Sequence, residues 1–240
     1  MLSVDMHIHS VVSGHSVSTV DEIVRYARRK KMTHIGITEH GPSMEGGPHQ
    51  NYFYLSELLP SQFAELKVFF GCEANIIDTK GKLDLTDELL HKQQIIIAGI
   101  HQNTPFPPNL GRRLNTQAIV RSMQSNCVSI ISHPINPIFP VDSNDLVCAA
   151  TDNNVILELN TQVMKRGLDS FSMKEYANLI NLARKHETKL IINSDAHAHY
   201  FIGDDFILTK LRNILGLSND DLLNFNHKLL EQVLEAHRHY

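Results

Sequence analysis

The sequence predicts an α/β fold made of βα repeats, with a parallel sheet that is either open or closed, and three observations predict it. Short β-rich runs recur along the whole chain, amphipathic helical stretches lie between them, and runs such as IIIAG and VSIIS are continuously apolar instead of alternating. Uninterrupted apolar strands are expected where helices cover both faces of a parallel sheet. The first strand, residues 3–8, leads to a helix at 19–31, which Ser18 or Thr19 opens ahead of Asp21 and Glu22. The second, third and fourth strands fall at 33–38, 67–72 and 94–99, each bounded by polar or turn residues. A helix at 115–125 precedes the fifth strand at 127–131, a helix at 142–153 precedes the sixth at 155–159, and a helix at 172–186 precedes the seventh at 189–193. Helices at 204–215 and 219–237 close the chain. No fine repeat, low-complexity segment or long linker marks a second domain, so residues 1–240 are read as one domain.

A chain of 240 residues buries roughly 70% of its extended surface on folding, which provides a full core without staples. Lys+Arg 22 against Asp+Glu 26 gives a net charge of −4, and no basic block is present. That balance disfavours a dedicated nucleic-acid or membrane-surface binder. Cys72, Cys127 and Cys148 are odd in number and form no CxxC, which argues against a disulfide scaffold or thiolate zinc module and for a reducing compartment. The opening MLSVDMHIHS is not a basic stretch followed by an apolar one, and the longest apolar run, 95–100, is far short of the ~20 residues of a membrane span. A soluble, cytoplasmic protein is expected. The unusual count is 15 histidines beside no tryptophan, and histidine is both a metal ligand and a neutral-pH acid or base.

Placement of those histidines carries the functional reading. His7 and His9 end the first strand, and period-two alternation puts Asp5, His7 and His9 on one face. His40 follows the second strand, Glu73 the third, His101 the fourth, His133 the fifth, and Asp195 with His197 the seventh. His15, in the loop after the first strand, can join them. Parallel βα folds build their sites at the carboxyl ends of the strands, so these nine side chains are expected to meet although they span the chain. By contrast His34, His91, His186, His227, His237 and His239 lie at strand starts or on helices and are read as solvated, while His49 and His199 sit in loops on the active edge. Imidazole and carboxylate without thiolate suit zinc, then iron or manganese, better than calcium or magnesium. Nine ligands are too many for one ion, since a catalytic zinc typically takes three protein ligands and a water. A cluster of two or three divalent ions is implied.

The ordered set Asp5-Met6-His7-Ile8-His9, His15, Thr38-Glu39-His40-Gly41-Pro42, Glu73-Ala74-Asn75, Ala98-Gly99-Ile100-His101, Ile131-Ser132-His133-Pro134 and Ser194-Asp195-Ala196-His197 resembles the polymerase and histidinol phosphatase (PHP) superfamily, and most closely its YcdX-like phosphatase branch. The resemblance covers essentially the whole chain. It implies a distorted (β/α)7 barrel with three metal ions. It further implies that His7, His9, Glu73 and Asp195 hold one ion, that Glu73 bridges to a second held by His101 and His133, and that His15, His40 and His197 hold the third. The family usually has Asp where this chain has Glu39, and alternation points Glu39 away from the side that His40 faces.

Phosphate also calls for positive charge, which Arg112 and Arg113 supply after the fourth strand and Lys165 and Arg166 after the sixth. Arg166 is the chosen substrate-binding and catalytic arginine, because the sixth strand yields no metal ligand and leaves its loop free for a bidentate clamp. Its position also resembles the family's phosphate-binding arginine. Asn160 either orients that arginine or caps the strand, and Asp5 either holds the tautomer of His7 or His9 or pairs elsewhere in the barrel. The expected reaction is hydrolysis of a small phosphate monoester by a metal-bridging hydroxide, with His199 or His49 as candidate leaving-group acids. The alternatives are a phosphodiesterase on small or nucleic-acid-end substrates, a metal-dependent amidohydrolase and a non-catalytic metal-binding or docking module. No membrane partner is expected, nucleic acid is disfavoured, and a homo-oligomer is left open.

Overall fold

The computed structural model describes residues 2–166 and 170–238. Its strands are β1 (Val4–Ile8), β2 (His34–His40), β3 (Gln62–Phe63), β4 (Leu66–Asn75), β5 (Ile95–Gly99), β6 (Ile130–Ile131), β7 (Ile156–Asn160) and β8 (Leu190–Asn193). Seven of them pair in parallel in the order β1-β2-β4-β5-β6-β7-β8, and the short β3 adds antiparallel to the start of β4. The sheet closes where β1 meets the end of β8: Ile8 bridges Ala196, and the His9 N–H donates to the Ala196 carbonyl at 2.9 Å. The result is the distorted (β/α)7 barrel that the resemblance implied.

The helices are α1 (Val20–Arg29), α2 (Asp87–Lys92), α3 (Gly111–Met123), α4 (Ser143–Asp152), α5 (Thr161–Arg166), α6 (Ser170–His186), α7 (Phe206–Leu215) and α8 (His227–Ala236). Thr19 caps α1 with a full capping box, its hydroxyl accepting from the Glu22 N–H while the Glu22 carboxylate returns to the Thr19 N–H. Sequence patterning passes over β3, α2 and α5, each too short for a periodic signal. The crossover from β2 to β4 contains a 3-10 stretch, Gln50–Leu58, in place of an α-helix.

The expected helix at 219–237 is shorter than its pattern. Residues Leu223–Phe225 form a 3-10 turn and only His227–Ala236 is α-helical. Asn224 explains the break: buried, it accepts from the Ile192 N–H at 2.8 Å and donates to the carbonyls of Ile192 and Val4 at 2.8 and 3.1 Å. The turn plugs the bottom of the barrel, and Asn226 then caps α8. Leu223, Leu230, Val233 and Leu234 pack there against Val4, Met6, Ile97, Ile130, Ile156 and Ile191, so the lower barrel is apolar and the polar layer lies above. That plug also buries His34. Its Nε2 lies 2.8 Å from Glu231 Oε1 on α8 and its ring centroid 4.8 Å from that of His227, so the solvated reading of His34 is corrected. His91 is exposed, His186, His227 and His237 are half-buried, and His239 lies outside the described residues.

Strand β1 departs from simple alternation. Its pairing to β2 slips between Asp5 and Ile8, a bulge that sets Val4 and Met6 in the barrel interior and Ile8 against Ile23 of α1. Gly36 permits that passage, since a Cβ there would stand 2.4 Å from the Met6 carbonyl oxygen. Asp5 consequently does not share the face of His7 and His9. Its carboxylate accepts from the N–H groups of Ser194 (3.0 Å), Gly203 (2.8 Å) and His7 (3.4 Å), which makes it a barrel-closing acid and no partner of an imidazole ring.

Candidate metal centre

The carboxyl ends of the strands bring the nine ligand-type side chains into one cluster at the top of the barrel. Glu73, at the top of β4, lies at its centre. Its Oε2 is 3.2 Å from His7 Nε2 and 3.4 Å from His9 Nε2, and those two nitrogens are 3.0 Å apart. Asp195 Oδ1 lies 3.6 Å from His7 Nε2 and 3.3 Å from His9 Nε2. A tetrahedral zinc with bonds of 2.0–2.1 Å has ligand-to-ligand edges of about 3.3–3.4 Å, so His7, His9 and Asp195 have the spacing of one coordination shell, with Glu73 Oε2 beside both imidazoles. The other oxygen of Glu73 faces elsewhere: Oε1 is 3.0 Å from His101 Nε2 and 3.1 Å from His133 Nε2, which are themselves 3.0 Å apart.

His15, His40 and His197 flank this core as stacked or tilted rings. His15 and His40 bring their Nε2 atoms to 3.2 Å, and the His15 and His197 ring centroids are 4.7 Å apart. Triads whose ligand atoms lie within 4.8 Å of one another are His7, His9 and Asp195; His9, His40 and His197; and His40, Glu73 and His101. His40 thus faces both ways, its Nδ1 2.9 Å from Glu73 Oε2 and its Nε2 toward His15.

The donor set fits metal ions better than hydrogen bonding. Glu73 Oε2 is buried amid three imidazole nitrogens yet makes no hydrogen bond, and neither does buried Nδ1 of His40 or of His101. An orphaned carboxylate oxygen is costly unless a cation completes it. Proton affinities tell the same story. Burial disfavours charge on His7 and His9, but Glu73, Glu158 and Asp195 outweigh it around His7, and Asp195 and Glu73 around His9, so that His7 is held well above its ordinary value and His9 at about 9. Burial, then the positive charge of His9, pushes His40 down to about 3 and His197 to about 4. Burial would raise the Glu73 and Asp195 carboxyls, but the surrounding histidines, His7 foremost, hold both well below the usual range. Metal must therefore displace protons from this site. Binding of zinc near neutral pH is expected to release at least one proton per chain, with apparent affinity falling about tenfold per pH unit for each proton displaced as pH drops below about 9. Calorimetry in buffers of different ionisation enthalpy measures that release, and heats independent of the buffer would contradict it.

Residues without an evident ligand role in the sequence fix the imidazoles. Glu158, fully buried inside the apolar run of β7, sits 2.8 Å from His7 Nδ1 and accepts from the His133 N–H at 2.7 Å, from Asn193 at 2.9 Å and from Asn160 at 2.9 Å. Asn160 belongs to this anchor, and its amide also reaches Asp195 Oδ2 at 3.3 Å. The signal for Glu158 was a lone acid in an otherwise apolar strand. Glu39 points away from His40 as alternation requires, yet it reaches both neighbours through Ser13. The Ser13 hydroxyl donates to Glu39 at 2.6 Å, so it accepts from His9 Nδ1 at 3.0 Å and from the His40 N–H at 3.0 Å. Both relays put the proton on Nδ1 and turn the Nε2 lone pairs of His7 and His9 into the cluster.

The model of the PHP domain family matches residues 5–239. The chain belongs to the PHP family. A probable phosphatase of Clostridium novyi (strain NT) is 32% identical over 97% of this chain and 94% of its own. A second probable phosphatase, from Caldanaerobacter subterraneus subsp. tengcongensis, is 32% identical over 99% of this chain and 92% of its own. Among solved structures, histidinol phosphate phosphatase of Lactococcus lactis, complexed with zinc, L-histidinol and phosphate, superposes with a TM-score of 0.65 at 17% identity, covering 89% of this chain and 92% of that one. A chain of an archaeal ribonuclease P bound to mature tRNA gives 0.58 at 16% identity, covering 96% of this chain and 90% of that one.

In this PHP chain the cluster opens into a cavity of about 730 Å³, walled by Met44, Gln102, Asn136, Phe139, Gln162 and Tyr176 among others. Among the described residues its lining contains no lysine or arginine. Arg112 and Arg113 line a separate groove by α3 and α4, and the Arg112 guanidinium donates to the Val141 carbonyl. Lys165 pairs with Asp204. Arg166 ends α5, whose first turn brings Gln162 and Val163 to the cavity; its side chain lies outside the described residues. The two loop histidines proposed as acids are elsewhere: His49 caps the 3-10 stretch, its Nδ1 accepting from the Asn51 N–H, and His199 meets Ser18 Oγ at 2.9 Å. No helix among the described residues is long and apolar enough to cross a membrane.

Proposed function

We propose that this PHP chain is a metal-dependent phosphatase that hydrolyses small phosphate monoesters at a three-ion site. The observation that carries the reading is Glu73, whose Oε2 meets His7, His9 and His40 and whose Oε1 meets His101 and His133, all at 2.9–3.4 Å, the arrangement of a bridging carboxylate. His7, His9 and Asp195 would complete one ion, His101 and His133 the second, and His15, His40 and His197 the third, with zinc first and manganese or iron next. The names of the relatives and the zinc and phosphate in the Lactococcus lactis structure support the same reading. Such ions supply a water that is acidic near neutral pH and positive charge against phosphoryl oxygens. The chain's own residues do the rest. Glu158 and the Ser13–Glu39 pair lock the imidazoles, Arg166 orients the phosphate, and the cavity wall receives the leaving alcohol.

Protein expressed with ample metal is expected to hold more than one transition-metal ion per chain by elemental analysis and to turn over p-nitrophenyl phosphate faster than bis-p-nitrophenyl phosphate. A metal content near zero defeats the metal assignment. Faster cleavage of the diester would make the chain a phosphodiesterase, and no turnover by fully metallated protein would favour the docking module.

A further inference from the structure

Tyr176, on α6, lines the metal cavity, and its buried hydroxyl has no hydrogen-bond partner among the described residues. The side chain is 1% exposed and its ring is part of the main apolar core. A phenol kept from water without a partner is costly, and a buried tyrosine hydroxyl usually finds one. Burial, then the charge of Glu158, hold this phenol well above its ordinary value, so it remains a donor at any working pH. Glu158 is the acid that meets His7 Nδ1 at 2.8 Å and the His133 N–H at 2.7 Å, which ties the phenol to the imidazole cluster through one residue.

The polar groups that share the wall with Tyr176 are uncharged. Asn136 Oδ1 accepts from the Ile138 N–H at 2.9 Å, which leaves its Nδ2 to donate. Gln162 Nε2 donates to the Asp195 carbonyl at 3.1 Å, which leaves its Oε1 to accept. Met44, Phe139 and Val163 add apolar surface to the same lining. Among the described lining residues the acids are Glu73 and Asp195, both within the cluster, and there is no lysine or arginine. An ammonium or a second anion on the leaving group therefore meets no counter-charge of its own in that wall. A hydroxyl-bearing carbon skeleton meets a donor, an acceptor, a phenol and apolar surface.

We propose that the leaving group this cavity selects is an uncharged polyhydroxylated alcohol, a sugar in chemical class, and that the Tyr176 hydroxyl is the specificity-determining donor to one of its oxygens; this rests on the phosphatase reading above. The metal cluster holds the phosphate and the wall reads the alcohol. A sugar hydroxyl that meets Tyr176 satisfies a group with no partner to give up, so the bond is made at little competing loss.

The test compares metal-loaded wild type with Tyr176→Phe, which keeps the ring and its packing, on ribose 5-phosphate, phosphoethanolamine and p-nitrophenyl phosphate. Wild type is expected to show a kcat/KM at least about tenfold higher for ribose 5-phosphate than for phosphoethanolamine, whose ammonium finds no acid in the described wall. In Tyr176→Phe the ratio of kcat/KM for ribose 5-phosphate to that for p-nitrophenyl phosphate, which carries no alcohol hydroxyl, should fall about five- to tenfold, as loss of one neutral hydrogen bond requires. A merely structural role for Tyr176 would lower both esters together and leave that ratio where it was. An unchanged ratio, or a wild type that prefers phosphoethanolamine, overturns the proposal, while turnover of p-nitrophenyl phosphate in the same assay upholds the phosphatase reading. No turnover of any of the three esters overturns both.

Discussion

Glu73→Ala is expected to remove two ions from the cluster and to lower kcat/KM for a phosphate monoester by at least about 10³-fold, as loss of several kcal/mol of charge stabilisation requires. Both of its oxygens are committed, Oε2 toward His7, His9 and His40 and Oε1 toward His101 and His133. Without the carboxylate, two groups of imidazoles face each other with no anion between them. His101→Ala removes one ligand from one group and should cost one ion at most. Elemental analysis of both variants, purified identically, makes the comparison, and equal metal losses would remove Glu73 from its bridging position. Glu73→Gln sharpens the result: it keeps shape and volume, so metal loss there reports the missing charge and not a collapsed pocket.

Arg166→Ala is expected to leave metal content intact while lowering kcat/KM for a phosphate monoester by about 2–4 kcal/mol, on the order of 30- to 1000-fold. Arg166→Lys should recover only part of it, because an ammonium cannot reproduce the two parallel bonds of a guanidinium. The described lining of the cavity holds no lysine or arginine, and Arg112 and Arg113 face a different groove. Wild-type kinetics in both variants would therefore leave phosphate binding to the metal ions and the carboxamides of the wall, and would reopen the amidohydrolase alternative.

Much of the site was legible in the sequence because strand ends are marked locally. An apolar run followed at once by His, Glu or Asp identifies both the strand and the edge where its last side chain emerges, and parallel pairing in sequence order brings those edges together. His7, His9, Glu73, His101, His133 and Asp195 are placed by that rule, with His15, His40 and His197 beside them. Local pattern failed where a long-range contact overrode it. Asp5 left the face of His7 because β1 bulges against β2, and His34 lost its solvent because α8 folds across the barrel bottom. The helix expected from residue 219 gave way to a turn because Asn224 bonds to β1 and β8, more than 30 residues away in sequence.

The sequence by itself determined the βα order, the chemistry of the clustered imidazoles and carboxylates and the edge on which they stand, because these follow from periodicity and from residue type. Only the tertiary structure decided which oxygen of Glu73 meets which imidazole and which buried acid orients it. Glu158 and the Ser13–Glu39 relay act across strands that are distant in the chain, and no short-range pattern records the distance between them.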